Sequence, residues 1–404
     1  MLATIKRLVV GRPIATSEEL HTRLPKKIAL PVFASDAISS TAYATQEILI
    51  ILVPAAALGA YHQLIPLSLV VCLLLAIVIT SYRQTIRAYP GGGGTYIVSR
   101  ENLGPLPSLV AGASILVDYV LTVAVSVSAG VAAIIAAFPG LQDYRLWMCL
   151  GFVALMTMAN LRGLKESGAI FAPPTYIYVT MLYLLIGVGL IRYFTGNLEA
   201  IPLDTVALDE LAPGGGSGLG LFLLLKAFSS GAVALTGVEA VADGVPAFKK
   251  PESRNASRVL VMMAVILGTS FLGLSLLASR LLPIPEEHGD TLLSKLGEHV
   301  FGRGALYFIF QFATFAILIL AANTAYADFP RLSSIIARDE FLPHQFANRG
   351  NRLVFSNGVV VLGAMAGLLL IVFGGTTTAL IPLYAVGVFT GFTMSQAGMV
   401  VYQR

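Results

Sequence analysis

Charge is scarce in this chain. Asp, Glu, Lys and Arg make up 12% of its 404 residues, against 56% hydrophobic, whereas soluble domains carry about 25% charged residues. That deficit excludes a globular domain with a single anchor. Cysteine is nearly absent: Cys72 and Cys149 both lie inside apolar runs, so no disulfide framework is expected and both read as small buried hydrophobes. The five histidines, His21, His62, His288, His299 and His344, all fall in predicted connections or at span ends. The interior therefore lacks the usual catalytic base, which argues against an intramembrane enzyme. The basic N-terminus is not followed by a short apolar core and a small-residue cleavage site, so no cleaved signal peptide is expected.

What the chain has instead is long apolar runs. A crossing helix needs about 20 mostly apolar residues, and ten segments read as crossings: 28–54, 62–82, 105–137, 145–161, 167–194, 219–244, 256–283, 304–327, 354–373 and 379–402. The expectation is an all-α integral membrane protein with a cytoplasmic segment over 1–27 and a ten-span core over 28–404. Twenty of the 26 Lys and Arg residues fall on alternate connections, which places both termini on the cytoplasmic side. The opposite connection over 195–218 carries Glu199, Asp204, Asp209 and Glu210 and no basic residue. The positive charge is thus matched to anionic lipid of the cell membrane, not to nucleic acid.

Two spans are interrupted by small polar residues, each with a carboxylate at the break: Pro31-Val-Phe-Ala-Ser-Asp36-Ala-Ile-Ser-Ser-Thr-Ala-Tyr43 and Phe228-Ser-Ser-Gly-Ala-Val-Ala-Leu-Thr236-Gly-Val-Glu239. Each backbone group freed in hydrocarbon costs several kcal/mol. Matched breaks in two halves of opposite orientation, about 28–194 and 219–402, point to a solute site at the repeat interface.

Ionisable residues in apolar spans are functional candidates. Asp118, Thr122 and Ser126 recur every four residues and fall on one helix stripe, presenting hard oxygen ligands suited to an alkali cation. The hydroxyls could instead bond their own helix or pack at an interface. Thr236 and Glu239, three apart, are expected on one face of the sixth span, after Ser229, Ser230 and Gly231, which are expected to open its backbone. Asp36 is expected in the equivalent break, with Tyr43 beyond it. One of Asp36, Asp118 or Glu239 could carry a proton. Tyr384 could supply an oxygen or sit as an interfacial aromatic. Lys226 and Glu47 could be an ion pair or gate residues, while Asp243 and Asp328 read as solvated charges near span ends. The run Tyr89-Pro-Gly-Gly-Gly-Gly94-Thr-Tyr96 has no Lys at phosphate-loop spacing and opens no βαβ unit; a Gly-rich turn is expected. No Thr-Val-Gly-Tyr-Gly filter occurs, which argues against a potassium channel.

Four stretches carry a resemblance: Ser35-Asp36-Ala-Ile-Ser-Ser-Thr-Ala-Tyr43, Ser81-Tyr-Arg-Gln-Thr-Ile-Arg-Ala-Tyr-Pro90, Leu235-Thr-Gly-Val-Glu-Ala240 and Ile381-Pro-Leu-Tyr-Ala-Val-Gly-Val-Phe-Thr390. Over essentially its whole length the chain resembles the KimA-type bacterial potassium importers and their KUP relatives, within the amino acid–polyamine–organocation superfamily. The resemblance implies a LeuT-type five-plus-five inverted repeat with broken first and sixth helices. It implies proton-coupled potassium uptake with no cofactor. It would put potassium ligands on Asp118, Thr122, Ser126, Thr236, Glu239 and Tyr384, with Tyr43 nearby and Asp36 in coupling or gating. Family members usually continue with two more spans and a cyclic di-AMP-binding domain that holds a homodimer. This sequence ends at Gln403-Arg404, so nucleotide control and a homodimer stay open. The alternative is a cationic amino acid or polyamine permease on the same scaffold.

Overall fold

The computed structural model describes residues 24–92, 94–162, 168–202, 220–286, 290–348 and 355–404. Expectations placed on the segment before Leu24, on Lys165, Arg349 and Arg352, and on Asp204, Asp209 and Glu210 lie outside the described residues.

Among the described residues the chain is almost wholly helical, and its β structure is one isolated bridge, Leu24 to Phe248. The helices are α1 (Lys26–Ser39), α2 (Ala44–Ala56), α3 (Gly59–Ala88), α4 (Thr95–Leu103), α5 (Pro105–Ala137), α6 (Arg145–Leu161) and α7 (Gly168–Phe194). They continue as α8 (Leu221–Gly231), α9 (Ala240–Asp243), α10 (Glu252–Leu281), α11 (Leu292–Phe301), α12 (Ala305–Arg338), α13 (Ser356–Val372) and α14 (Thr377–Tyr402). Nine stretches are long and apolar enough to cross a membrane, counting α1–α2 and α8–α9 as one each. The remaining α13, at 17 residues, is about 25 Å long at 1.5 Å per residue. This is a multi-pass membrane protein.

The helices follow the expected spans closely, with one long exception. α12 runs on to Arg338, past the expected end at 327, because Ser333, Ser334 and Ile336 continue its buried face after the apolar run ends. The short helices α4 and α11 were not expected, since each is below the length of an apolar span.

Packing sets α5 at the centre: 94% of its most apolar window is buried, against 22% for the span containing α6. A helix apolar all round is a core helix, and α5 lies against both α12 and α14. Crossings five apart in the chain pack as pairs: α2 on α8, α3 on α10, α5 on α12 and α6 on α13.

The breaks lie a little later than the small polar residues suggested. Asp36 sits inside α1, and the helix tightens only at Ser40–Ala42 before Tyr43 leaves helical geometry (φ −129°). Likewise Ser229, Ser230 and Gly231 stay helical at the end of α8. Gly231 serves close packing, because Ile48 of α2 lies directly on it. The backbone opens at Thr236, which is extended, and at Gly237, with φ +73°. Thr236 and Glu239 therefore do not share a helical face. The chain between them is unwound.

Gly237 is required twice over, by its left-handed φ and by the carboxylate beside it. A Cβ there would stand 2.5 Å from Asp36 Oδ2 and 2.8 Å from Ala37 N. Gly237→Ala is expected to cost roughly 2 kcal/mol or more from backbone strain and overpacking, read as a lower thermal midpoint in detergent. Gly187→Ala on α7, where nothing lies within 4 Å of the added atom, should leave it unchanged. Equal midpoints for both variants would refute the close approach.

Candidate functional site

The two breaks face each other. Ser40 Oγ donates to Ala37 O at 2.6 Å or to Ala234 O at 3.1 Å, so a hydroxyl of the first break reaches a carbonyl of the second. Ser39 and Thr41 bond back to Asp36 O and Ile38 O, both at 2.7 Å. These hydroxyls take up the carbonyls that the unwinding releases.

Asp36, Asp118 and Glu239, on α1, α5 and the lead into α9, are all buried and lie within electrostatic reach of one another. Asp118 and Glu239 line one cavity of about 10 Å³ together with Gly237, Gly387 and Phe392. That is about the volume a single water needs. Asp36 adjoins it through the Gly237 contact. Among the described residues no three of His, Cys, Asp and Glu close up as a metal-binding cluster. The acids are spread along a path, and neutral oxygens stand between them.

Those oxygens come from the expected residues. Thr122 Oγ1 and Tyr384 Oη are 2.9 Å apart, so Thr122 faces α14. Tyr384 is fully buried, which rules out its reading as an interfacial aromatic. Asp36 Oδ1 and Asp118 Oδ1 are buried without a hydrogen-bond partner, and Tyr43 lies beside Thr236 within electrostatic reach of both acids. Buried polar atoms are nearly always paired, so two such carboxylate oxygens are unusual. Ser126 is buried on α5 but does not line the cavity of Asp118 and Glu239.

Wider spaces lie at each end. On the α4 side a cavity of about 160 Å³ is lined by Thr95, Tyr119, Asp243, Asp328 and Arg331, and shares Ile115 with the central one. On the α11 side a cavity of about 30 Å³ is lined by Tyr43, Glu47, Arg145 and Thr378. Asp243 and Asp328, both half-buried, face this open α4-side cavity, which leaves their reading as solvated charges near span ends in place. Glu47 is buried and accepts from Thr378 Oγ1 at 2.9 Å, whereas Lys226 is exposed on α8.

The sequence reading missed Tyr82 and Thr95, which donate to Glu239 Oε2 at 3.3 and 3.2 Å. No periodicity links positions this far apart in the chain. The available signal was Thr95 directly after the glycine run and Asp243 one helical turn beyond Glu239.

The potassium transporter KimA of Bacillus subtilis (strain 168) is 48% identical over 399 residues, covering 99% of this chain and 65% of the relative. The low-affinity putrescine importer PlaP of Escherichia coli (strain K12) is 23% identical over 282 residues, 68% of this chain and 59% of that protein. The chain thus spans less than two thirds of the length of these relatives. The sequence model of the amino acid permeases matches residues 30–404, nearly the whole chain. That family's LeuT-type architecture accords with paired broken helices around a central α5, and the chain belongs to the amino acid permease family.

Proposed function

We propose that this chain imports potassium together with protons by alternating access. Asp118, Thr122, Ser126, Thr236, Glu239, Tyr384 and Tyr43 supply oxygens to the cation, and Asp36, Asp118 and Glu239 carry the proton. One observation carries the reading. Asp118 and Glu239 line a central cavity of about 10 Å³ in which no basic residue takes part, beside the unpartnered Oδ1 atoms of Asp36 and Asp118. Two acids in a low-dielectric space need a cation or a proton to offset them. A space of that volume suits a monatomic ion. The relative named as a potassium transporter supports the same choice.

The core is read as ten spans in two inverted halves, about 28–194 and 219–402, supported by the pairing of crossings five apart. Both termini are placed on the cytoplasmic side of the cell membrane, where Arg83, Arg87, Arg254 and Arg258 meet anionic headgroups. On this orientation the α4 end is the inner one.

The second reading is a polyamine carrier, favoured by the similarity to a putrescine importer and by an acidic site able to take ammonium groups. The central cavity argues against it, since it has room for about one water-sized occupant, which suits a monatomic cation better than a four-carbon diamine. Proteoliposome uptake of rubidium tracer against labelled putrescine separates the two; putrescine uptake without rubidium uptake would overturn the potassium reading. Asp118→Asn and Glu239→Gln should each cut rubidium uptake at least about a hundredfold, from loss of a buried charged ligand, while the protein stays inserted and folded. Wild-type rates in either variant would remove that residue from the site. Asp36→Asn should alter the pH dependence of uptake, and an unchanged profile would take Asp36 out of proton coupling.

A further inference from the structure

The three central acids are not held alike. Asp36 Oδ1 and Asp118 Oδ1 have no hydrogen-bond partner, while Glu239 Oε2 accepts hydroxyls from both Tyr82 and Thr95. Neither donor belongs to the broken helices. Tyr82 is on α3, its ring edge-on to Phe392 of α14 at 5.9 Å. Thr95 is the first residue of α4. That helix is tied to the end of α12 by Tyr96 Oη donating to Asp339 Oδ2 at 2.8 Å and by the ion pair of Arg100 with Asp339.

The residue before Thr95 meets the next turn of the Glu239 segment. A Cβ on Gly94 would stand 2.5 Å from Asp243 Oδ1, and one on Gly92 would stand 2.9 Å from Asp243 O. Gly94 and Thr95 therefore contact Asp243 and Glu239, residues one helical turn apart. The glycines serve as the seat on which α9 rests. In this arrangement the hydroxyl bonds to Glu239 and the Asp243 contacts with Gly92 and Gly94 occur together.

We propose that Tyr82 and Thr95 are positioning residues that hold Glu239 aimed at the cation only while α9 is seated on Gly92 and Gly94, so that unseating α9 weakens the cation site. Resting on the cation-carrier reading, this adds a link between the inner end of the path and affinity. A hydrogen bond to a charged group is worth about tenfold or more in binding.

The test is rubidium uptake by the full chain in proteoliposomes, with thermal midpoints measured alongside. Thr95→Val and Tyr82→Phe, both nearly isosteric, should each raise KM about tenfold. Thr95→Ser, which keeps the hydroxyl, should return KM to within about twofold. Gly94→Ala, which displaces Asp243 and leaves every hydroxyl present, should also raise KM. Combined with Thr95→Val it should add nothing further, as expected when two changes break one interaction. Wild-type KM in both hydroxyl variants would overturn the proposal, and so would full additivity of Gly94→Ala with Thr95→Val. Absence of rubidium uptake by the unaltered chain would overturn the potassium reading itself, which separates the two failures.

Discussion

Inside a bilayer every backbone N–H and C=O must find a partner within the protein, and the architecture follows from meeting that demand at two broken helices. A break in one helix alone would leave carbonyls facing hydrocarbon. Placing the breaks of α1–α2 and α8–α9 side by side lets Ser40 reach Ala234 O while Ser39 and Thr41 bond back to their own turn. The tightened turn Ala232–Leu235 packs against α2, α3 and α14, and Val238 beyond it is buried.

The second constraint is electrostatic. Isolated ionised carboxylates are costly to bury, and Asp36, Asp118 and Glu239 are buried within reach of one another. Their joint negative charge has to be offset by a bound cation, a proton or donated hydrogen bonds. Arg331 and Arg145 stand at opposite ends, in the outer two cavities, too far along the path to do this for the centre.

Much of this was legible in the sequence, because apolar length and basic-residue placement act over whole segments. The spans over 105–137 and 145–161 coincide with α5 and α6. Asp118 and Thr122 stayed legible because α5 is unbroken, so spacing in sequence translates into a face. The same rule failed for Thr236 and Glu239, since Gly237 at φ +73° ends the helical register between them. Asp36 was placed in the break, yet it lies in the last turns of α1, where Ser39 Oγ satisfies its carbonyl. Tyr82 and Thr95 were missed, with only the position of Thr95 after the glycine run as a signal. Their connection to Glu239 spans 157 and 144 positions, and only tertiary packing sets it.

The two ends of the path are closed by different means. At the α11 end the seal is made of side chains gripping backbone. Gln46 donates to Glu286 O at 3.1 Å and accepts from Leu292 N at 2.9 Å, and Tyr61 Oη donates to Pro283 O at 2.8 Å. Each bond fixes the approach to α11 against α2 or α3, and the space left is about 30 Å³. At the α4 end the Leu24–Phe248 bridge and the stacked rings of Phe33 and Phe248, 5.1 Å apart, join α1 to the chain after α9, and about 160 Å³ stays open beside Asp243 and Asp328. Several separate hydrogen bonds thus fasten the α11 end, whereas at the α4 end α1 and the segment after α9 are held to each other.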